Sequence, residues 1–193
     1  MSVAMNEQVT TSRRPATYRD VLDAPPNMVA ELIGGALHLQ PRPAMRHARA
    51  SSVLGIRIGG AYDDGQDGPG GWWIIFEPEL HLGPDVLVPD LAGWRRERMP
   101  EFPDAPWSDL APDWACEVLS PGTRRLDLTD KRDIYGAAGV GHLWLVDPKA
   151  RTLEAFARRS GAWVLIVALK DDDAVRVPPF EATSFPLAAL WPD

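Results

Sequence analysis

Cysteine is almost missing from this sequence: Cys116 is the only one in 193 residues. A lone thiol can form no internal disulfide and cannot build a zinc site, so the chain must hold itself together by packing, and a reducing cytoplasm is its expected compartment. Long apolar runs are missing too. The longest, Ala162 to Leu169, falls far short of the ~20 residues that a membrane-spanning helix needs, and no apolar segment follows the first charges, so neither membrane insertion nor export is expected. Positive charge is in deficit, with 20 Lys and Arg against 27 Asp and Glu for a net charge of −7. A protein this acidic lacks the global field that drives non-specific binding to nucleic acid, and any such contact must come from a local basic patch. The four histidines, His38, His47, His81 and His142, have no ligand spacing, and neither a P-loop nor a serine nucleophile elbow occurs.

What is present is a chain that is 45% hydrophobic, enough for one well-buried core. Residues 1–16 lack apolar periodicity and read as a flexible tail; 17–193 read as a single domain mixing α and β. A short helix capped at Thr17 ends before Pro25-Pro26. A hairpin follows, Val29 to Ile33 and Ala36 to Leu39 around Gly34-Gly35, residues that accept the positive φ of a tight turn. From Pro43 to about Ala61 the pattern is helical. Ala50, Leu54, Ile58 and Ala61 make an apolar stripe, while Arg46, Arg49 and Arg57 make a basic one, either a solvated face or a contact for phosphates. Gly71 to Leu82, Asp85 to Trp94 and Asp113 to Leu119 read as strands, and residues 95–112 as an exposed connection. Then come a helix from Thr123 to about Ala138, a strand His142 to Asp147, a pair Thr152 to Ala157 and Ala162 to Leu169 joined through Ser160-Gly161, and a short helix within Phe185 to Trp191.

Two carboxylates stand where strands want apolar residues. Period-two alternation puts Asp90 on a face with Val86, Val88 and Ala92, and Glu117 on a face with Ala115 and Leu119. A lone ionised carboxylate buried there costs several kcal/mol unless it is paired or bound to a cation, and two on neighbouring strands could share one. A hard cation such as Mg²⁺ (or Mn²⁺) takes one or two carboxylates plus waters and phosphate oxygens. Glu31, in the first hairpin, is a third candidate. On the helix after Ser120-Pro121-Gly122-Thr123, residues Asp127, Lys131 and Tyr135 follow at intervals of four. Asp127 with Lys131 is an ordinary helix ion pair on one reading; on another, the lysine orients a water or neutralises charge growing on a phosphate. Cys116 points to the opposite face from Glu117 and reads as an inert buried thiol.

The series Glu31-Leu32-Ile33-Gly34-Gly35, Val88-Pro89-Asp90, Glu117-Val118-Leu119-Ser120-Pro121-Gly122-Thr123, Asp127 with Lys131 and Tyr135, Gly139-Val140 and Leu143-Trp144-Leu145-Val146-Asp147-Pro148 resembles the Uma-type family of restriction endonucleases, within the PD-(D/E)XK nuclease superfamily. The resemblance runs from about Thr17 to Trp191. It implies a restriction-endonuclease-like core, a central mixed β-sheet flanked by α-helices, and phosphodiester hydrolysis with a divalent metal held by acids. Asp90 then looks like the Asp of the motif and Glu117 like its (D/E), with Glu31 as a further metal or water-orienting ligand. The motif's lysine position, two after the acid, is Leu119 here, so the basic role passes to Lys131.

Expected substrate contacts are Arg46, His47, Arg49 and Tyr135, and the expected partner is nucleic acid, DNA before RNA. A homodimer would suit cleavage of both strands of a duplex, since protein symmetry would mirror duplex symmetry. Two other readings stay open: a non-catalytic binding module on the nuclease fold, which the net charge favours, and a metal-dependent hydrolase of a small phosphoester.

Overall fold

Two six-stranded sheets organise the chain in the computed structural model, which describes residues 8–9 and 14–192. Strand β1 (Gln8–Val9) is followed by helix α1 (Tyr18–Leu22) and the hairpin β2 (Met28–Ile33) and β3 (Ala36–Pro41). The Asp20 carboxylate accepts from both the backbone N–H and the hydroxyl of Thr17, 2.8 Å each, which fixes the start of α1. Gly34 and Gly35, at φ +58° and +76°, form the two-residue turn that sets the hairpin register, with Ile33 opposite Ala36 and Glu31 opposite His38. Helix α2 (Met45–Tyr62) leads into β4 (Trp72–Phe76), β5 (Glu79–Leu82), β6 (Asp85–Leu87), β7 (Leu91–Arg95), β8 (Trp107–Ser108) and β9 (Trp114–Val118). Two helices, α3 (Arg124–Leu128) and α4 (Asp130–Ala138), precede β10 (His142–Asp147), β11 (Thr152–Arg159) and β12 (Ala162–Lys170). A small pair, β13 (Ala174–Val175) and β14 (Phe185–Pro186), and a 3₁₀ turn at Leu187–Leu190 close the chain.

The central sheet has the order β12-β11-β10-β9-β7-β4 and is mixed: β9 and β10 run parallel, all its other pairs antiparallel. A parallel pair needs a crossover, and α3 and α4 supply it. Alternation along β9 then sorts the core into two layers. Trp114, Cys116 and Val118 face α2, packing with Leu54, Ile58 and the C-terminal Phe180 and Leu187; Ala115, Glu117 and Leu119 face α4, among Tyr135, Leu143 and Leu145. The second sheet, β1-β3-β2-β6-β5-β8, carries Glu31.

Three elements predicted as continuous are broken. The run Gly71 to Leu82 divides at Glu77-Pro78, where Glu77 takes φ +45° and the proline offers no N–H, and the chain passes from one sheet to the other. The run Asp85 to Trp94 divides at Val88-Pro89-Asp90, where a proline again offers no N–H, so Asp90 lies in the break and not inside a strand. The helix from Thr123 divides at Thr129, whose φ of −120° and ψ of −90° are not helical and whose hydroxyl donates to the Arg125 carbonyl at 2.7 Å. The connection 95–112 holds one short strand, β8, and the C-terminal segment is a strand plus a 3₁₀ turn. Most of the predicted tail 1–16 lies outside the described residues. Of its described part, Gln8 and Val9 pair with Leu39 and His38, and the Ala16 N–H donates to the Gly35 carbonyl at 2.8 Å. No helix among the described residues is long and apolar enough to cross a membrane.

Candidate active site

The acids come together where the two sheets meet. Asp90 immediately precedes β7, whose register with β9 places Leu91 opposite Cys116; carried back one residue, that register sets Asp90 opposite Glu117. Glu117 projects from β9 toward α4, and Lys131 and Tyr135, one turn apart on that helix, close on it. Lys131 Nζ lies 2.8 Å from Glu117 Oε1 and 2.9 Å from Glu31 Oε1, with Asp127 Oδ1 at 3.6 Å. The Tyr135 hydroxyl donates to the same Glu117 Oε1 at 2.5 Å. Glu117 Oε2 accepts no hydrogen bond among the described residues.

Each remaining carboxylate is held separately. Glu31 Oε1 also accepts from the Val88 N–H at 2.8 Å, and its Oε2 from Gln40 Nε2 at 2.7 Å. Asp90 Oδ2 accepts from the Val118 N–H at 2.7 Å, while Oδ1 faces His47 Nε2 at 3.2 Å. Asp127 Oδ2 accepts from the Thr123 hydroxyl at 2.6 Å, and the Ser120 and Thr123 hydroxyls sit 3.1 Å apart. Asp90, Glu117, Asp127, Lys131, His47 and Thr123 line a narrow cleft of about 70 Å³, with Glu31 behind its wall.

Glu31, Glu117, Asp127 and Lys131 are each no more than 3% exposed, and burial governs their protonation. It pushes the Glu117 carboxyl well above the usual range, against the pull of the Lys131 charge, and it raises Asp127 to about 6 despite Lys131 and the Thr123 hydroxyl. For Lys131 burial works the other way, but the charges of Glu117 and Glu31 outweigh it and hold the ammonium well above its ordinary value. Burial likewise opposes a charged His47, and the bond to Asp90 overcomes it, raising the imidazole. Tyr135 is raised by burial and by the Glu117 charge, so its phenol stays a donor. On the other face of β9, burial raises the Cys116 thiol, which keeps it inert.

Glu31, Asp90, Glu117, Lys131, Tyr135 and His47 are thus brought to one place. Arg46 and Arg49 are not: both stay exposed on α2, and Arg49 reaches only the Ala189 carbonyl, at 3.5 Å. Three contributors escaped the sequence reading of the site: Gln40, Thr123 as the partner of Asp127, and the Val118 amide that fixes Asp90. Gln40 had a signal, because a Gly34-Gly35 turn that sets Glu31 against His38 puts Gln40 on the adjacent diagonal.

The fold has a close counterpart. A crystal structure described as that of "a putative nuclease belonging to DUF820" from Anabaena variabilis matches over 91% of this chain and 97% of its own, with a TM-score of 0.73 at 23% identity, which establishes the restriction-endonuclease-like architecture. No curated protein matches the sequence. Residues 15–188, which contain every side chain of the cleft, match the family model Uma2, described as "Putative restriction endonuclease", and the chain belongs to that family.

Proposed function

We propose that the cleft hydrolyses phosphodiester bonds of nucleic acid, DNA in the first instance, with Asp90 and Glu117 holding Mg²⁺ or Mn²⁺. The observation that carries this reading is the surplus of carboxylates over cations around one solvent-reached point. Glu31, Asp90, Glu117 and Asp127 face a single ammonium and one imidazole, an arrangement that costs stability unless a further positive charge enters. The donor set fits a hard divalent ion, since Glu117 Oε2 makes no hydrogen bond among the described residues and Asp90 lies across the register from it. Mg²⁺ keeps waters and takes phosphate oxygens, so one or two protein carboxylates are enough to hold it. When bound, such an ion supplies Lewis-acid charge stabilisation and acidifies a water.

The chain's own residues prepare the rest. Lys131 and Tyr135 both hold Glu117 Oε1, and the Lys131 charge opposes the rise that burial imposes on this carboxyl while the two contacts fix its position. Glu31, anchored by Gln40 and the Val88 amide, serves the lysine in this reading more than the metal. His47 and the Val118 amide fix Asp90. Lys131, on the cleft wall, is the charge available to a phosphate oxygen in the transition state. Arg46 and Arg49, exposed on the helix that carries His47, are suited to contact flanking phosphates.

Calorimetry with Mg²⁺ and Mn²⁺ on the wild type, Asp90→Asn and Glu117→Gln, with plasmid nicking scored on the same samples, tests the proposal. Binding and nicking that disappear together in both variants are expected; a folded wild type that binds neither ion, even with DNA present, sinks it. The narrowness of the cleft is the one feature that favours a small phosphoester instead. Turnover of p-nitrophenyl phosphate without nicking would support that reading.

A further inference from the structure

Arginines that are neither paired nor fully in water are few in this chain. Among the described residues the half-buried ones are Arg96, Arg132 and Arg158. A guanidinium that gives up water needs acceptors for its five donors, and Arg96 has them: Asp63 Oδ1 at 2.7 Å and the carbonyls of Asp63 and Trp72, each at 3.0 Å. The guanidiniums of Arg132 and Arg158 have neither a hydrogen-bond acceptor nor an ion-pair partner among the described residues. Arg132 lies instead over the ring of Phe156, its Cζ 4.5 Å from the centroid.

Both of these arginines line one open groove of about 640 Å³, between α4 and the turn that joins β11 to β12. Arg158 is the register partner of Trp163, and it shares with Phe156 the face of β11 that looks toward α4. Trp163 Nε1 donates to the Arg132 carbonyl at 2.9 Å, which ties the hairpin to the helix. Arg132 and Gly136 stand one turn apart on α4. A glycine inside a helix weakens it relative to alanine, yet a Cβ at Gly136 would lie 3.0 Å from Trp163 Nε1 and 3.1 Å from Arg158 Nη1. Packing against the bare helix, and not an acid, therefore holds Arg158 in the groove. The one acid on the walls, Asp133, is exposed, and neither it nor Asp130 and Glu154 on the same two elements makes an ion pair with either arginine.

We propose that this groove is a phosphate-binding site whose ligands are Arg132 and Arg158. Two guanidinium forks that arrive from different elements suit a tetrahedral group with oxygens on several sides, whereas a planar carboxylate is satisfied by a single fork. Two sources share that chemistry, a backbone phosphate of nucleic acid and the phosphate of a small molecule. Helix α4 stands between the groove and the cleft, with Arg132 on the wall of one and Lys131 on the wall of the other. The inference does not rest on the nuclease reading, and its test needs no divalent metal.

Calorimetry and thermal melts of the full chain in EDTA test it, with inorganic phosphate up to about 50 mM at constant ionic strength. Phosphate is expected to bind and to raise the melting temperature, and acetate to do neither. Arg132→Gln and Arg158→Gln, which keep part of each stem in the groove, should each weaken phosphate binding about tenfold or more, and Arg132→Lys, which keeps the charge and loses the fork, should weaken it less. A short DNA duplex, again without metal, is the second arm: there each glutamine variant should flatten the slope of log K against log salt by about one. A flattened slope, with or without binding of the free ion, assigns the groove to nucleic-acid backbone. Phosphate binding that is lost in the variants while the DNA slope stays the same assigns it to a small phosphoester. A wild type that binds neither ligand overturns the proposal without recourse to variants. So do phosphate binding and a DNA slope that are both indifferent to the two glutamine variants, and acetate that binds as tightly as phosphate.

Discussion

Replacing Lys131 by Met keeps most of the side-chain volume and removes the one ammonium in the buried cluster. Each ion pair, at 2.8 and 2.9 Å, carries a gross attraction of about 6 kcal/mol at an effective dielectric of about 20, set against a desolvation cost of several kcal/mol per ion. Breaking a buried pair typically costs about 3–5 kcal/mol, because the partner stays buried and unpaired, and that is the loss expected at about pH 8. The sign of its pH dependence follows from Glu117. Its folded pKa already lies above the unfolded value, and without the Lys131 charge it rises further. A carboxyl raised in this way contributes stability that is complete below the unfolded pKa and is lost as pH rises through the folded one. The deficit of the variant should therefore shrink as pH falls from about 8 toward 5, by up to about 1.4 kcal/mol per pH unit for one proton. Lys131 itself, with a raised pKa, does not titrate in that window in the wild type. Urea unfolding followed by tryptophan fluorescence at each pH measures the difference. A deficit under about 1 kcal/mol at pH 8, or one equal at both ends of the range, would refute the picture of a desolvated charge network.

Asp127→Asn should stabilise the protein at pH 8 while lowering activity. Its carboxyl is pushed up to about 6, roughly two units, so ionising it in place costs about 3 kcal/mol, and wild-type stability from this group falls as pH rises from about 4 through 6. Thermal melts should show a gain at pH 8 that vanishes near pH 4; a loss at pH 8 would mean the ionised form is favoured by its surroundings. Tyr135→Phe removes a charge-assisted bond from a wholly buried carboxylate and should cost about 1.5–3 kcal/mol in chemical denaturation, whereas a loss below about 0.5 would leave the 2.5 Å hydrogen bond without energetic weight. Arg46→Ala and Arg49→Ala should leave metal binding intact and flatten the dependence of log K for DNA on log salt by about one for each phosphate that is no longer neutralised. An unchanged salt slope in the double variant would remove α2 from the substrate path.

The parts of the fold that sequence reveals are those where one local rule suffices. The Gly34-Gly35 turn, the facing of Cys116 and Glu117, and β10 to β12 all follow from turn chemistry and period-two alternation. Three breaks were hidden because each lies inside a segment whose composition argues for continuity. Val86, Leu87 and Leu91 outvoted Pro89, and the spacing of Asp127, Lys131 and Tyr135 outvoted Thr129. Those breaks also conceal the second sheet, since both prolines mark places where the chain leaves one sheet for the other. Glu117 was legible as a misfit, a carboxylate on an apolar strand face, whereas Asp90 was singled out by an alternation that the break at Pro89 interrupts. The partners of the acids were harder to see, because Gln40, the Val118 amide and Thr123 are unremarkable residue types whose role comes only from where the register brings them.

The position of the lysine shows what the fold actually constrains. Two residues after Glu117 the strand offers Leu119, which shares the acid's face but is packed among apolar side chains against the α4 layer. A lysine rooted there would have to displace that packing. Lys131 reaches the same carboxylate from α4, its stem running through the layer and its Nζ arriving 2.8 Å from Oε1, with Glu31 entering from the other sheet to share the charge. In the proposed chemistry what matters is the point at which the ammonium meets the acid, and Tyr135, one turn on along α4, together with Asp127 at the end of α3, frames that point. The break at Thr129 does not disturb it, because Asp127 is held by Thr123 and Tyr135 by Glu117, so both neighbours of the lysine are anchored independently of helical continuity.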